Sequence, residues 1–169
     1  MNIFLIGFMG SGKTHVGQQL AQTLGFDFID LDDFLEEQEG ETMSSIFESK
    51  GEAYFRKAEQ KYLKLLGKRT QTVIATGGGT PCFFDNMQWI NQHGISIYLK
   101  PTIEVLVTRL QSEMSHRPIL AGQTTNSLYQ FIEDKLKNRA AFYEQAQHII
   151  SIQAYNQDVV SKLIKIIGQ

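Results

Sequence analysis

Short apolar runs alternate along the chain with longer stretches whose apolar positions recur every third or fourth residue, the pattern of buried strands exchanged with amphipathic helices. The run Ile3-Phe4-Leu5-Ile6 predicts a first strand, and Val16, Leu20, Ala21 and Leu24 follow at helical spacing before Gly25 stops the helix. A second strand, Phe26-Asp27-Phe28-Ile29-Asp30, ends on an acid and leads into a short helix around Phe34-Leu35-Glu36-Glu37 that stops near Gly40. From Thr42 to Leu66 a longer helical segment has Ile46, Phe47, Ala53, Tyr54, Ala58, Tyr62 and Leu66 as its expected packing side, with a break at Gly51 and an end at Gly67.

Thr72-Val73-Ile74-Ala75-Thr76 is rich in β-formers and runs into Gly77-Gly78-Gly79. A helix through Met87, Trp89 and Ile90 ends at His93-Gly94, Ile95 to Leu99 form the next strand, and Thr102 is placed to cap a helix carrying Val105, Leu106 and Leu110. Between Gln111 and Thr125 the periodicity fails, and a loop of that length in so small a domain is expected to be functional; it reads as a lid over about 111–125. A helix from Ser127 to Ala146, a last strand from His148 to Ile152, and a closing helix capped by Asn156 with Val159, Val160, Leu163, Ile164 and Ile167 buried complete the pattern. Strand and helix in alternation predict an α/β domain spanning 1–169, a parallel sheet with helices on both faces.

Composition narrows the class. With 169 residues, 42% of them hydrophobic, the chain can bury one good core. A net charge of −2 and a pI near 6.1 argue against a general nucleic-acid or membrane-surface binder. The single cysteine, Cys82, excludes an internal disulfide framework and a multi-cysteine zinc site, and directly after Pro81 it reads as a packing residue. No apolar run approaches the roughly 20 residues that cross a bilayer. The first strand opens almost at Met1, so no leader is expected ahead of it, and the expected setting is the cytoplasm, as a monomer.

The chemistry starts where the first strand meets the first helix. Gly7-Phe8-Met9-Gly10-Ser11-Gly12-Lys13-Thr14 has the P-loop spacing, in which glycines let successive backbone N–H groups converge on phosphate oxygens. Gly10, Ser11, Gly12, Lys13 and Thr14 are therefore the expected nucleotide cradle: Lys13 reaches the β/γ-phosphates, the Thr14 hydroxyl ligates magnesium, and the helix start adds its dipole. The strand Val73-Ile74-Ala75-Thr76 ends in threonine, so the carboxylate for the ion must come from elsewhere. Asp30 is the best placed, binding directly or through water. Asp32 points to the same side if the chain stays extended, toward an acceptor whose hydroxyl it orients or deprotonates; the alternative is that Asp32 and Asp33 cap the next helix.

Three arginines stand out. Arg139 continues the inward stripe of Leu128, Ile132, Lys135 or Leu136, and Tyr143, where a cation needs an anion and a planar fork suits carboxylate or phosphate. Arg56 either joins such a site or makes surface ion pairs with Glu52 and Glu59. Arg117, held extended before Pro118 in the lid, either reaches the phosphates on closure or is idle. Gly77-Gly78-Gly79 is a flexible turn or a set of bare N–H groups open to a ligand. Two arginines, an acid and bare amides suit a small acceptor that is anionic and rich in hydroxyls.

In its P-loop, Asp30-Leu31-Asp32, Gly51-Glu52 with Phe55-Arg56 and Glu59, Gly77-Gly78-Gly79, Arg117-Pro118 with Leu120, and Arg139 with Tyr143, the chain resembles the shikimate kinases of the nucleoside-monophosphate-kinase structural group, over nearly its whole length. The resemblance implies a P-loop kinase fold, a three-layer sandwich around a five-stranded parallel sheet in the order 2-3-1-4-5, with a helical substrate-binding insert over about 32–66 and a lid. It implies ATP-dependent phosphorylation of the shikimate 3-hydroxyl with Mg2+. By the same pattern Arg56, Arg139, Gly78 and Gly79 hold shikimate with Asp32, Lys13 and Arg117 grip the transferring phosphate, Thr14 and Asp30 serve the metal, and Arg109 lies by the adenine. One departure is that Gln153-Ala154-Tyr155-Asn156 lacks the basic residue many members carry there, which leaves the base contacts open. Two rivals remain: a gluconate kinase, and a nucleotide-binding regulatory protein that lacks an acceptor.

Overall fold

The computed structural model describes residues 1–113, 122, 124–154 and 157–168. Strand β1 (Asn2–Ile6) is buried along its whole length, as a strand with neighbours on both edges and both faces must be. It pairs in parallel with β3 (Thr72–Ala75) and β4 (Ile95–Pro101), so that Phe4 lies opposite Ile74 and Ser96. Outside β3 lies β2 (Asp27–Asp30) and outside β4 lies β5 (His148–Ile152), which gives the expected order 2-3-1-4-5.

The two-residue period of β1 sorts the helices into layers. Ile3 and Leu5 pack with Val16 and Leu20 of α1 (Lys13–Leu24) and Leu163 of α7 (Val160–Ile167). Phe4 and Ile6 face the other way, onto α2 (Leu31–Glu39), α3 (Met43–Leu66), α4 (Asn86–His93), α5 (Ile103–Glu113) and α6 (Thr125–Tyr143). Trp89 of α4 closes this side, edge-on to Phe4 and stacked on His93.

Four expectations need adjusting. Helix α2 starts directly at Leu31 because the Asp30 side chain accepts the Asp32 N–H at 3.0 Å and caps it; neither Asp32 nor Asp33 is the cap. In α3 the break does fall at Gly51 (φ 82°, ψ 170°), and it resets the helical phase. Beyond it Phe55, Ala58, Tyr62, Leu63 and Leu66 are buried, whereas Ala53 and Tyr54, expected to pack inward, are exposed; ahead of it Ile46 is buried and Phe47, also expected inward, is exposed. Helix α5, with Thr102 Oγ1 accepting the Val105 N–H as expected, runs on through Gln111–Glu113, and α6 opens at Thr125 rather than Ser127, because Thr124 and Ser127 bond reciprocally as a capping box. Most of the rest of the expected lid, residues 114–121 and 123 with Arg117 among them, lies outside the described residues, as does Asn156; the first turn of α7 is bonded by Asp158, which accepts the Ser161 N–H at 3.1 Å.

Candidate active site

In a parallel sheet the strand ends all open on one side, and here β1, β2 and β3 end around a crevice of about 800 Å³ lined by Gly10, Gly12, Lys13, Thr14, Asp30, Asp32, Thr76, Gly78 and Arg109. The loop after β1 takes left-handed turns at Gly10 (φ 78°) and Gly12 (φ 93°), the second acting as N-cap of α1, so the N-terminal end of that helix, with its unpaired N–H groups, borders the crevice. Lys13 is buried, and its ammonium donates to the carbonyls of Gly7 at 2.8 Å and Phe8 at 3.0 Å. Thr14 Oγ1 donates to Asp30 Oδ2 at 2.8 Å. One hydroxyl and one carboxylate, both hard oxygen donors beside the cradle, form a set that fits magnesium.

Asp32 sits one residue into α2, on that helix's first turn rather than on an extended segment. Burial raises its carboxyl to about 7, and repulsion from Asp30 and Glu59 adds to the rise while Lys13 opposes it. Its Oδ1 comes within 2.8 Å of where a Cβ on Gly77 would stand, and Glu59 Oε1 within 2.9 Å, so two acids crowd the start of the glycine turn.

Both inward arginines reach the same turn. Arg56 donates to Glu59 Oε2 at 2.9 Å and lies 4.0 Å from the Phe83 ring centroid. Of the two local acids, Glu52 is the exposed one, 3.5 Å from Arg56 Nε. Glu59 is 1% exposed and also accepts the Thr80 hydroxyl, so its pair with Arg56 is an interior clamp, not a surface bridge. Arg139, half-buried on α6, lies over the Phe8 ring of the P-loop, and its Nη1 is 3.4 Å from where a Cβ on Gly78 would stand. It has no carboxylate partner among the described residues. Tyr143, one turn further along α6, donates its hydroxyl to the Gly78 carbonyl.

Lys13, Thr14, Asp30, Asp32, Arg56, Gly78, Gly79 and Arg139 are thus brought together. Arg109 joins them from α5, donating to the P-loop carbonyls of Ser11 at 3.0 Å and Gly10 at 3.3 Å. Thr76, at the end of β3, is held by its hydroxyl on the Leu5 carbonyl. Sequence reasoning passed over the buried role of Glu59, and over Gln157 and Asp158, which line the far end of the crevice. Glu59 did carry a signal, since it falls one turn after Phe55 and beside Ala58 and Tyr62 on the buried face. Cys82 is half-buried near both arginines; burial pushes its thiol up to about 11 even so.

The chain is similar to known proteins over most of its length. The family model described as shikimate kinase matches residues 9–168. A shikimate kinase of Bacteroides fragilis is 44% identical over 149 residues, 88% of this chain and 83% of that one. Among solved structures, a shikimate kinase from Bacteroides thetaiotaomicron superposes with a TM-score of 0.94 at 38% identity, covering 100% of this chain and 99% of the other. A shikimate kinase from Acinetobacter baumannii in complex with shikimate does so at 0.87 and 37%, covering 98% and 92%.

Proposed function

Since the chain belongs to the shikimate kinase family, we propose that it transfers the γ-phosphoryl group of ATP to the 3-hydroxyl of shikimate, giving shikimate 3-phosphate and ADP. The observation that carries this reading is the meeting of Arg56 and Arg139 at Gly78-Gly79, beside the P-loop. Two guanidiniums within reach of one turn form a receptor for a small anion, and Asp32 offers that anion's hydroxyls an acceptor.

The acceptor's carboxylate is held by Arg56, Arg139 and the glycine-turn amides, which sets its hydroxyl beside Asp32. A carboxyl raised to about 7 is half ionised near neutrality, so Asp32 aligns the hydroxyl and takes its proton as the oxygen bonds to the γ-phosphorus. The bond to the β–γ bridging oxygen breaks in the same displacement and ADP leaves. Lys13 exchanges the Gly7 and Phe8 carbonyls for phosphate oxygens, with the loop amides around it. Arg117, assigned from its place in the sequence and the family pattern alone, adds charge from the segment between α5 and α6. Thr14 and Asp30 would hold Mg2+, which when bound would supply neutralisation of the phosphate charge. Arg109 borders the adenine, and α2 with α3 serves as the acceptor-binding insert. No described helix is long and apolar enough to cross a membrane, and the reading sets the enzyme in the cytoplasm as a monomer.

Coupled measurement of ADP release tests the reading. With ATP and magnesium, shikimate is expected to raise the rate far above acceptor-free hydrolysis while gluconate does not. A shikimate rate equal to the basal one overturns it, and turnover of gluconate alone identifies the rival kinase.

A further inference from the structure

We propose that Tyr143 is a positioning residue for the acceptor's carboxylate: its hydroxyl fixes the Gly78–Gly79 peptide plane so that the Gly79 N–H is presented to the anion together with Arg139. The proposal rests on the reading of the acceptor site given above. Tyr143 is completely buried at the end of α6, and its hydroxyl donates to the Gly78 carbonyl. That carbonyl and the Gly79 N–H belong to one planar unit, which is trans like every other among the described residues. They therefore point in opposite directions, and a tether on one aims the other.

The Gly79 amide is a donor in want of a partner. Within the turn, Thr80 N–H goes to the Gly77 carbonyl at 3.2 Å and Cys82 N–H to the Gly79 carbonyl at 2.9 Å, while Gly79 itself is buried and its N–H meets no acceptor among the described residues. Buried backbone donors are rarely left so unless an ordered water or a ligand completes them, and a site that holds a water on an inward N–H can exchange it for an anion's oxygen. Arg56 and Arg139 mark the ligand as anionic. Tyr143 follows Arg139 by one helical turn, so the guanidinium and the tether ride on the same rigid element and keep a fixed separation. The tether is also insensitive to pH in the working range: burial lifts the phenol well above its ordinary value, and the adjacent Arg139 opposes that shift without cancelling it, so the proton stays on the donor.

Steady-state kinetics of Tyr143→Phe, which removes the hydroxyl and keeps the ring, test the assignment against wild type. We expect the KM for shikimate to rise about tenfold, the scale of one hydrogen bond to a charged group, with kcat within about threefold and the ATP KM and Tm close to wild type. A shikimate KM within about twofold of wild type overturns the proposal, as does a loss confined to kcat or shared by ATP, which a merely structural role would produce. A second measurement needs no variant: in wild-type protein labelled with 15N-glycine, the Gly79 amide resonance should shift on adding shikimate, and an unmoved resonance in the saturated protein overturns the proposal. Wild type that gives no shikimate-dependent ADP release is the separate failure, that of the acceptor reading itself.

Discussion

Arg56 Nη1 occupies the space that a side chain on Gly79 would need: a Cβ there would lie 2.6 Å from it. The guanidinium has little room to retreat, since Glu59 holds one nitrogen at 2.9 Å and the Phe83 ring lies against its face. Gly79→Ala should therefore displace Arg56 and raise the shikimate KM by about tenfold or more, the loss of one charge-assisted contact. The ATP KM should not change. Parallel loss of affinity for both substrates would mean that the turn supports the whole crevice, not the acceptor alone.

Asp32 ties rate to stability. The folded protein keeps a proton on this carboxyl up to about pH 7, whereas the ordinary value is 3.8. Between those values the folded state binds more protons than the unfolded one, so this group's contribution to stability falls as pH rises through the window and the cost is complete above it. Asp32→Asn should abolish most of kcat yet raise Tm at pH 8 by more than at pH 5. Differential scanning fluorimetry at the two values checks this, and an equal shift at both contradicts it. In wild type, kcat/KM for shikimate should climb toward a plateau above about pH 7.

Lys13 lowers the Asp32 carboxyl as well as facing the phosphates. Lys13→Ala should depress kcat by something on the order of a hundredfold, as an interaction that strengthens in the transition state does. Its residual activity should also show an acid limb moved to higher pH. A pH–rate profile measured on the variant reads both effects, and a wild-type rate removes Lys13 from the mechanism.

Gly51 carries φ 82° and ψ 170° inside α3, and nothing lies within 4 Å of where its Cβ would stand. The penalty of Gly51→Ala is thus one of backbone alone, roughly 1–3 kcal/mol for a conformation almost confined to glycine. Urea titration should show that loss. An unchanged midpoint would mean that the kink relaxes when a side chain is added.

Much of this was legible because the signals were local and redundant. The strands announced themselves by apolar runs and the P-loop by its spacing, and Arg139 stood out because it continued a buried stripe. What escaped was what depends on phase or on a third dimension. The kink at Gly51 turned Tyr54 outward, since a period counted across a non-helical residue no longer predicts which face is inside; Phe47, ahead of the kink, is exposed because its neighbour Ile46 takes the inward position. Asp32 was expected on an extended segment, whereas the capping side chain of Asp30 starts the helix at Leu31, three residues before Phe34. Glu59 looked like a surface partner for Arg56 because i,i+3 spacing is the same on either face of a helix; only the packing around Phe55 and Tyr62 decides which face it is.

Cys82 shows how little proximity to positive charge guarantees reactivity. With its thiol at about 11, only about one molecule in ten thousand carries the nucleophilic sulfur at pH 7. Electrophilic warheads aimed at it would find it nearly inert, and peroxide would meet the same resistance. An inhibitor for this pocket should instead owe its grip to an anionic head, reversible and matched to the guanidiniums on either side.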